Sequence, residues 1–311
     1  MFRRSAVWRL ALSAALLSAW LAGCAPAAMP RQSELNVLAV ETFLADMAQN
    51  VAGDRLKVSA LMPLGADPHE FEPTPQDVAK VAGAKVLIVN GAGVEAFLDR
   101  LLQNAGGQHQ IIVASAGLVS RQKREGEEIA GQPHDEGDPH FWLDPTLAAK
   151  YVENIRDGLS QADPAGAATY AANAQAYIAQ LKALDQWIAS QVAQVPPERR
   201  RLVTNHESLG YFADRYGFTI VGTVVPSVST SASPSAQQMA RLIDQIRATG
   251  APAIFLETGA NPQLARQVAQ ETGAKVVTDL YTHSVSAASG PAPTYIEMMK
   301  YNARVIVDAL K

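Results

Sequence analysis

The stretch Pro164–Gln194 constrains the fold of this 311-residue chain more than any other. It carries only two charged residues, Lys182 and Asp185. Its apolar positions Tyr170, Ala174, Tyr177, Leu181, Leu184 and Ile188 recur at helical spacing. Pro164 follows Asp163 where a helix would start, and Pro196-Pro197 stops it. At 1.5 Å per residue, about 30 residues make a rod of roughly 45 Å. Such a rod predicts two bodies held rigidly at its sides, which suits a chain too long for one domain of about 100–200 residues.

On both sides of the rod, short apolar runs alternate with helical patterns. Strands are predicted at Leu35–Val40, Leu56–Met62, Val86–Val89 and Ile111–Ala114, then at Arg201–Thr204, Thr219–Val225, Ala253–Leu256 and Lys275–Val277. Helices are predicted at Phe43–Ala52, Val94–Gln103, Ala236–Thr249 and Pro262–Thr272. Strand–helix alternation predicts an α/β fold, with parallel sheets flanked by helices in two lobes. No internal repeat has a fixed period, yet the halves share an architecture. The expected divisions are 35–163 for the N-terminal lobe, 164–195 for the linking helix and 196–311 for the C-terminal lobe. Residues 121–138, dense in charge and without periodicity, read as a loop.

The first residues read as an address. Arg3, Arg4 and Arg9 precede an apolar stretch from Leu10 to Leu21, too short for a comfortable membrane span. Leu21-Ala22-Gly23-Cys24 resembles the lipobox of bacterial lipoproteins. By that resemblance residues 1–23 are a cleaved signal peptide, Cys24 is acylated, and residues 24–34 form a flexible tether. Lipid holds a protein at a membrane without spanning it. Cleavage would remove three bases and no acid, leaving 23 bases against 30 acids, a formal charge of −7. That balance argues against nucleic acid, which wants a basic field. With 48% hydrophobic and 18% charged residues the chain is too apolar for disorder, and one cysteine excludes a disulfide framework.

The chemistry lies in the histidines. Of six, His109 sits in a polar connection and His134 in the charged loop, and both are expected at the surface. His69, His206 and His283 each follow a predicted strand, where ligands bind in open α/β sheets. His140 enters from a loop. His69 and His140 share the tripeptide Asp-Pro-His, with Asp67 and Asp138. Proline stiffens the approach, and a nearby carboxylate can accept the N–H of a ligating imidazole. Four imidazoles without thiolates suit tetrahedral Zn2+. Asp67, Glu70, Asp138, Glu207, Glu257 and Asp279 are candidates to offset the ion's charge, with Asp279 also a reserve ligand.

At these residues the chain resembles the metal-binding solute-binding proteins of ABC importers, the zinc and manganese (cluster A-I) family. Gly65-Ala-Asp-Pro-His-Glu-Phe-Glu-Pro-Thr-Pro is similar to the family's first ligand segment, and Val89-Asn-Gly-Ala-Gly-Val-Glu-Ala-Phe to the strand and helix after it. Asp138-Pro-His-Phe-Trp-Leu-Asp-Pro resembles the second segment, and Thr204-Asn-His-Glu-Ser-Leu-Gly-Tyr-Phe the third. Tyr281-Thr-His-Ser with Met298-Met-Lys-Tyr-Asn resembles the last. The resemblance implies two pseudo-symmetric lobes joined by one long helix with the metal between them. His69 and His140 would come from the first lobe, His206 and His283 from the second. Many members carry Asp at the fourth position, so His283 and Asp279 compete for it. Glu at the third position is common in manganese binders, and His206 leans toward zinc.

The expected function is capture of Zn2+ outside the cytoplasm by a lipid-anchored, monomeric, non-enzymatic protein, with delivery to a membrane permease driven by an ATPase. Mn2+ or Fe2+ is the alternative cargo. The anchor would lie on the periplasmic side of a bacterial membrane or at the cell surface. The charged loop with His134 could collect metal weakly or be plain solvated chain. A secreted zinc hydrolase is the competing class. Catalytic zinc keeps a position open for water, and the sequence has no His-Glu-x-x-His motif.

Overall fold

Apolar, β-branched runs of three to six residues pair side by side in two parallel sheets. The computed structural model describes residues 35–121, 137–230 and 232–311. Cys24, the leader, the tether and His134 lie outside the described residues. The first half runs β1 (Val37–Ala39), α1 (Thr42–Ala52), β2 (Val58–Ala60), α2 (Pro75–Gly83), β3 (Val86–Val89), α3 (Leu98–Ala105) and β4 (Gln110–Val113). Its strands lie in the order β2-β1-β3-β4, with Val37 opposite both Val58 and Val86. A 3-10 turn, Phe141–Leu143, leads into α4 (Pro145–Ala162), and α5 (Ala167–Val192) follows.

The second half runs β5 (Arg201–Thr204), α6 (Gly210–Tyr216), β6 (Thr219–Thr223), α7 (Ala236–Thr249), β7 (Ala253–Glu257), α8 (Gln263–Thr272), β8 (Lys275–Leu280) and α9 (Tyr295–Leu310). Its order, β6-β5-β7-β8, repeats that of the first sheet, again with parallel neighbours. In each sheet the chain starts in an inner strand and then builds on both sides of it. The carboxyl ends of such strands flank a crevice.

Local chemistry sets the helix ends. Thr74 and Asp77 form a reciprocal capping box on α2 with Pro75 in its first turn, and Asp144 caps α4 just before Pro145. The helix expected from Val94 starts only at Leu98: Gly91, Ala92 and Gly93 take positive φ, at 82°, 53° and 81°, and the Glu95 carboxylate turns back to accept the Asn90 and Gly91 N–H groups. Left-handed residues cannot seed a right-handed helix. The linking helix is unbroken. A 3-10 turn, Pro164–Gly166, precedes α5, and the stripe from Tyr170 to Ile188 is buried with Val192 added.

That stripe packs on α4 and α1 from the first half and on α9 from the second. The largest core is continuous across it, from Val37 and Phe43 through Tyr177 and Leu184 to Phe255 and Met298. Smaller cores fill the outer side of each sheet, around Leu87 in the first and Ile254 in the second. Hydrogen bonds then cross between the halves. Trp142 Nε1 donates to the Thr282 carbonyl at 2.6 Å, and the Tyr295 hydroxyl donates to the Trp142 carbonyl at 2.6 Å. The Thr42 hydroxyl donates to Ser284 Oγ at 3.1 Å.

Candidate metal centre

Four loops deliver one imidazole each. His69 lies in the turn after β2, and His140 sits immediately before the 3-10 turn. His206 follows β5 by two residues, and His283 follows β8 by three. Their potential ligand atoms all lie within 4.8 Å of one another. The ring centroids are nearly equidistant: His69 is 5.4, 5.6 and 5.2 Å from His140, His206 and His283. The other three separations are 5.1, 5.5 and 5.1 Å. Six similar separations among four rings describe a near-regular tetrahedron.

The carboxylates fix which nitrogen faces inward. Asp138 Oδ1 lies 2.9 Å from His140 Nδ1 and also accepts the His140 backbone N–H at 3.0 Å. Glu257 Oε1 lies 2.8 Å from His206 Nδ1, and the Ser208 hydroxyl donates to the same oxygen at 2.9 Å. Glu257 Oε2 is 3.8 Å from His283 Nδ1. The Nε2 atoms of His69 and His206 each stand 3.3 Å from His140 Nε2. Nε2 of His283 is buried without a hydrogen-bond partner among the described residues. Asp67 plays a different part from Asp138. It accepts the His69 backbone N–H at 2.9 Å and the Thr230 hydroxyl at 2.6 Å, tying the first ligand loop to the second half.

Burial governs the protonation of the cluster. His140 and His206 are fully buried and His283 is 6% exposed. Desolvation, helped by His283 and His206, pushes His69 down to about 3. Desolvation also lowers His283, to about 4, despite Glu257 and Asp67, and holds His140 well below the usual imidazole range. His206 behaves oppositely: burial opposes its charge, but the adjoining Glu257 outweighs burial and raises its pKa. Burial likewise opposes charge on Glu257, yet His206, His283 and Ser208 hold its carboxyl well below the ordinary range. At neutral pH His69, His140 and His283 are therefore neutral, and Glu257 is ionised beside His206.

Asp279 is not brought to the cluster. It stands exposed near the end of β8 at φ 73°, accepting the Thr278 hydroxyl at 2.8 Å. Leu280, the next residue, turns into the core, so the Asp279 side chain faces outward. Of the other carboxylates named from sequence, Asp138 and Glu257 meet imidazoles and Glu70 lies in the wall of an adjoining cavity. Glu207 is half-buried, and its backbone N–H donates to the Ser227 carbonyl. His109 also differs from its expected solvated state. It is half-buried, with Nδ1 2.9 Å from the Ala84 carbonyl and Nε2 2.8 Å from that of Gly106.

Supporting residues escaped the sequence reading. Trp142 underlies the centre, its ring 5.1 Å from that of His140 and 6.0 Å from that of His283. Asn302 on α9 brackets the fourth ligand loop. It accepts the Tyr281 N–H at 2.9 Å and donates to the Tyr281 carbonyl at 2.7 Å. Asn90 accepts the Tyr151 hydroxyl at 2.5 Å and donates to the carbonyl of Pro139, next to His140. The only sequence signal for Trp142 and Asn302 is their place in Asp138-Pro-His-Phe-Trp-Leu-Asp-Pro and Met298-Met-Lys-Tyr-Asn.

Comparison with known proteins agrees with this geometry. The manganese-binding lipoprotein MntA of Halalkalibacterium halodurans is 35% identical over 276 residues, covering 89% of this chain and 88% of its own length. The iron-binding protein YfeA of Yersinia pestis is 35% identical over 274 residues, 88% of this chain and 85% of its own length. Among solved structures, the periplasmic zinc-binding protein TroA of Treponema pallidum has a TM-score of 0.79 at 26% identity, covering 89% of this chain and 99% of that one. Residues 37–309 match the family described as zinc-uptake complex component A, periplasmic. Sequence and fold thus agree along nearly all of the described chain, which belongs to this family of metal-binding, substrate-binding proteins of ABC transporters.

Proposed function

We propose that the chain captures Zn2+ through Nε2 of His69, His140, His206 and His283 and hands it to an ABC permease powered by an ATPase. The observation that carries this reading is the spacing of the imidazoles. A tetrahedron with Zn–N arms of about 2.0–2.1 Å has edges of roughly 3.3–3.4 Å. His69 and His206 each stand at 3.3 Å from His140. Two carboxylates, Asp138 and Glu257, adjoin ligand Nδ1 atoms and bring two negative charges against the two of the ion. They also orient the rings and raise their basicity. The mechanism is coordination: four imidazoles fill a tetrahedral shell and leave no position for an attacking water. The relatives named for manganese and iron support the alternative cargoes Mn2+ and Fe2+. All-nitrogen donors favour zinc over manganese, which takes oxygen ligands more readily.

In this reading the lobes are 35–163 and 196–311, the 164–195 segment joins them, and the signal peptide 1–23 leaves Cys24 acylated at the end of the 24–34 tether. The lipoprotein names among the relatives support that anchor. No helix of the described residues is long and apolar enough to cross a membrane. The protein would work as a monomer outside the cytoplasm.

Calorimetry on the chelator-stripped protein tests the proposal. One tight Zn2+ site is expected, with Mn2+ and Fe2+ weaker. His283→Ala should weaken it by at least about 100-fold, and Asp279→Ala by less than about threefold. Loss of zinc binding through Asp279→Ala, with His283→Ala neutral, would overturn the assignment of the fourth ligand. Preference for Mn2+ would overturn zinc as the cargo.

A further inference from the structure

A cavity of about 560 Å³ opens beside the four-histidine cluster and ends at His283. Its walls come from both halves: the turn 65–72 after β2 on one side, and residues 257–261 and 282–284 on the other. Gly65 and Gly259, at φ 78° and 85°, let the two loops approach closely at its edge. Asp67, Glu70, Glu72 and Glu257 line it, and among the described residues no lysine or arginine does. Asp67 and Glu257 are committed to hydrogen bonds beside the ligands. Glu70 and Glu72 are exposed, and their carboxylates have no hydrogen-bond or ion-pair partner among the described residues. A second observation points to a cation rather than to solvated acids alone. The inner wall carries His283, whose Nε2 is nine-tenths buried, unpartnered and at the centre.

Size agrees with charge. A divalent ion with six waters occupies about 180 Å³ at roughly 30 Å³ per water, which the cavity holds with room to spare. A cleft lined by one sign of charge with low-dielectric walls concentrates counter-ions and speeds association. On the far side Trp142 and the hydrogen bonds between Trp142, Thr282 and Tyr295 close the centre off.

We propose that this cavity is the entry vestibule for the cargo cation, in which Glu70 and Glu72 draw in the hydrated ion that then sheds its water onto His283 and the other imidazoles. The proposal rests on the metal-capture reading above. Glu70 and Glu72 are steering residues, not ligands. Removing their charge slows arrival and leaves departure from the closed centre unchanged.

Stopped-flow mixing of Zn2+ with the metal-free protein, followed by the change in tryptophan fluorescence to which Trp142 beside the cluster contributes, tests this. The variant Glu70→Gln/Glu72→Gln is compared with the parent and with Asp99→Asn/Glu198→Gln, which removes the same charge from exposed sites outside the cavity. At low ionic strength the vestibule variant should associate about three- to tenfold more slowly, and the gap should shrink below about twofold at 0.5 M salt. Its dissociation rate should match the parent's, so Kd rises by the same factor as association slows. The control variant should follow the parent. Equal association rates in variant and parent, an equal slowing in the control, or a changed dissociation rate would each overturn the vestibule. Parent protein that binds no Zn2+ would overturn the capture reading itself, a failure distinct from any difference between variants.

Discussion

Glu257 serves two imidazoles from one carboxyl, His206 at 2.8 Å and His283 at 3.8 Å. Its change to Gln keeps the shape and removes the charge. Zinc affinity should fall by about 10- to 100-fold, measured by competition with a chelator, and Ser208→Ala should cost less. Away from the centre, Glu41 is buried against Glu95, which also accepts the Gly91 N–H at 3.1 Å. Burial first, and the neighbouring Glu95 second, raise Glu41 well above the ordinary carboxyl range, so the folded chain keeps a proton there that a free glutamate would release. A proton held more tightly by the folded chain than by the unfolded one stabilises the fold at acid pH. That stability drains away as pH rises above the ordinary glutamate pKa toward the raised one. Glu41→Gln needs no such proton. It should melt several degrees above the parent at pH 8 and converge with it near pH 4, the gap opening by up to about 1.4 kcal/mol per pH unit. A gap of equal size at both pH values would refute the raised Glu41 pKa.

Among the elements, α5 shows what periodicity can carry. The stripe Tyr170, Ala174, Tyr177, Leu181, Leu184 and Ile188 is legible because helical spacing and burial are one fact seen twice. Leu181→Ala should cost roughly 2–5 kcal/mol by urea denaturation, and Lys182→Ala, exposed on the same turn, under about 0.5. The ligand loops were legible for a related reason. Asp-Pro-His packs stiffness, a carboxylate and a ligand into three residues, so His69 and His140 stand out, and positions after strands expose His206 and His283. The supports of those loops were not legible. Trp142 reaches Thr282 only once the halves are packed, and Asn302 reaches Tyr281 across 21 residues of its own half. No local pattern encodes a partner on the other side of the molecule. The late start of α3 was not legible either, since nothing local marks Glu95 for turning back onto the Asn90 and Gly91 N–H groups.

At the scale of the whole molecule, the rod and the hydrogen bonds of Trp142, Thr42 and Tyr295 resist hinging. Small-angle scattering should therefore find nearly the same radius of gyration with and without Zn2+, and a wide closure would contradict this. Zinc at 1,000 times its Kd should stabilise the fold by about 4 kcal/mol, seen as a raised melting temperature. How that gain divides between folding and unfolding follows from where the ligands stand along the chain. His69 and His283 lie near its opposite ends, and each waits on a different sheet. A zinc finger gathers its ligands from neighbouring turns, and its ion can recruit the chain. Here loop-closure entropy delays the meeting until both sheets exist. The ion thus arrives after the rate-limiting step and acts as a lock on a finished object. Refolding should proceed at the same rate with or without Zn2+, while unfolding slows by the full measure of the binding.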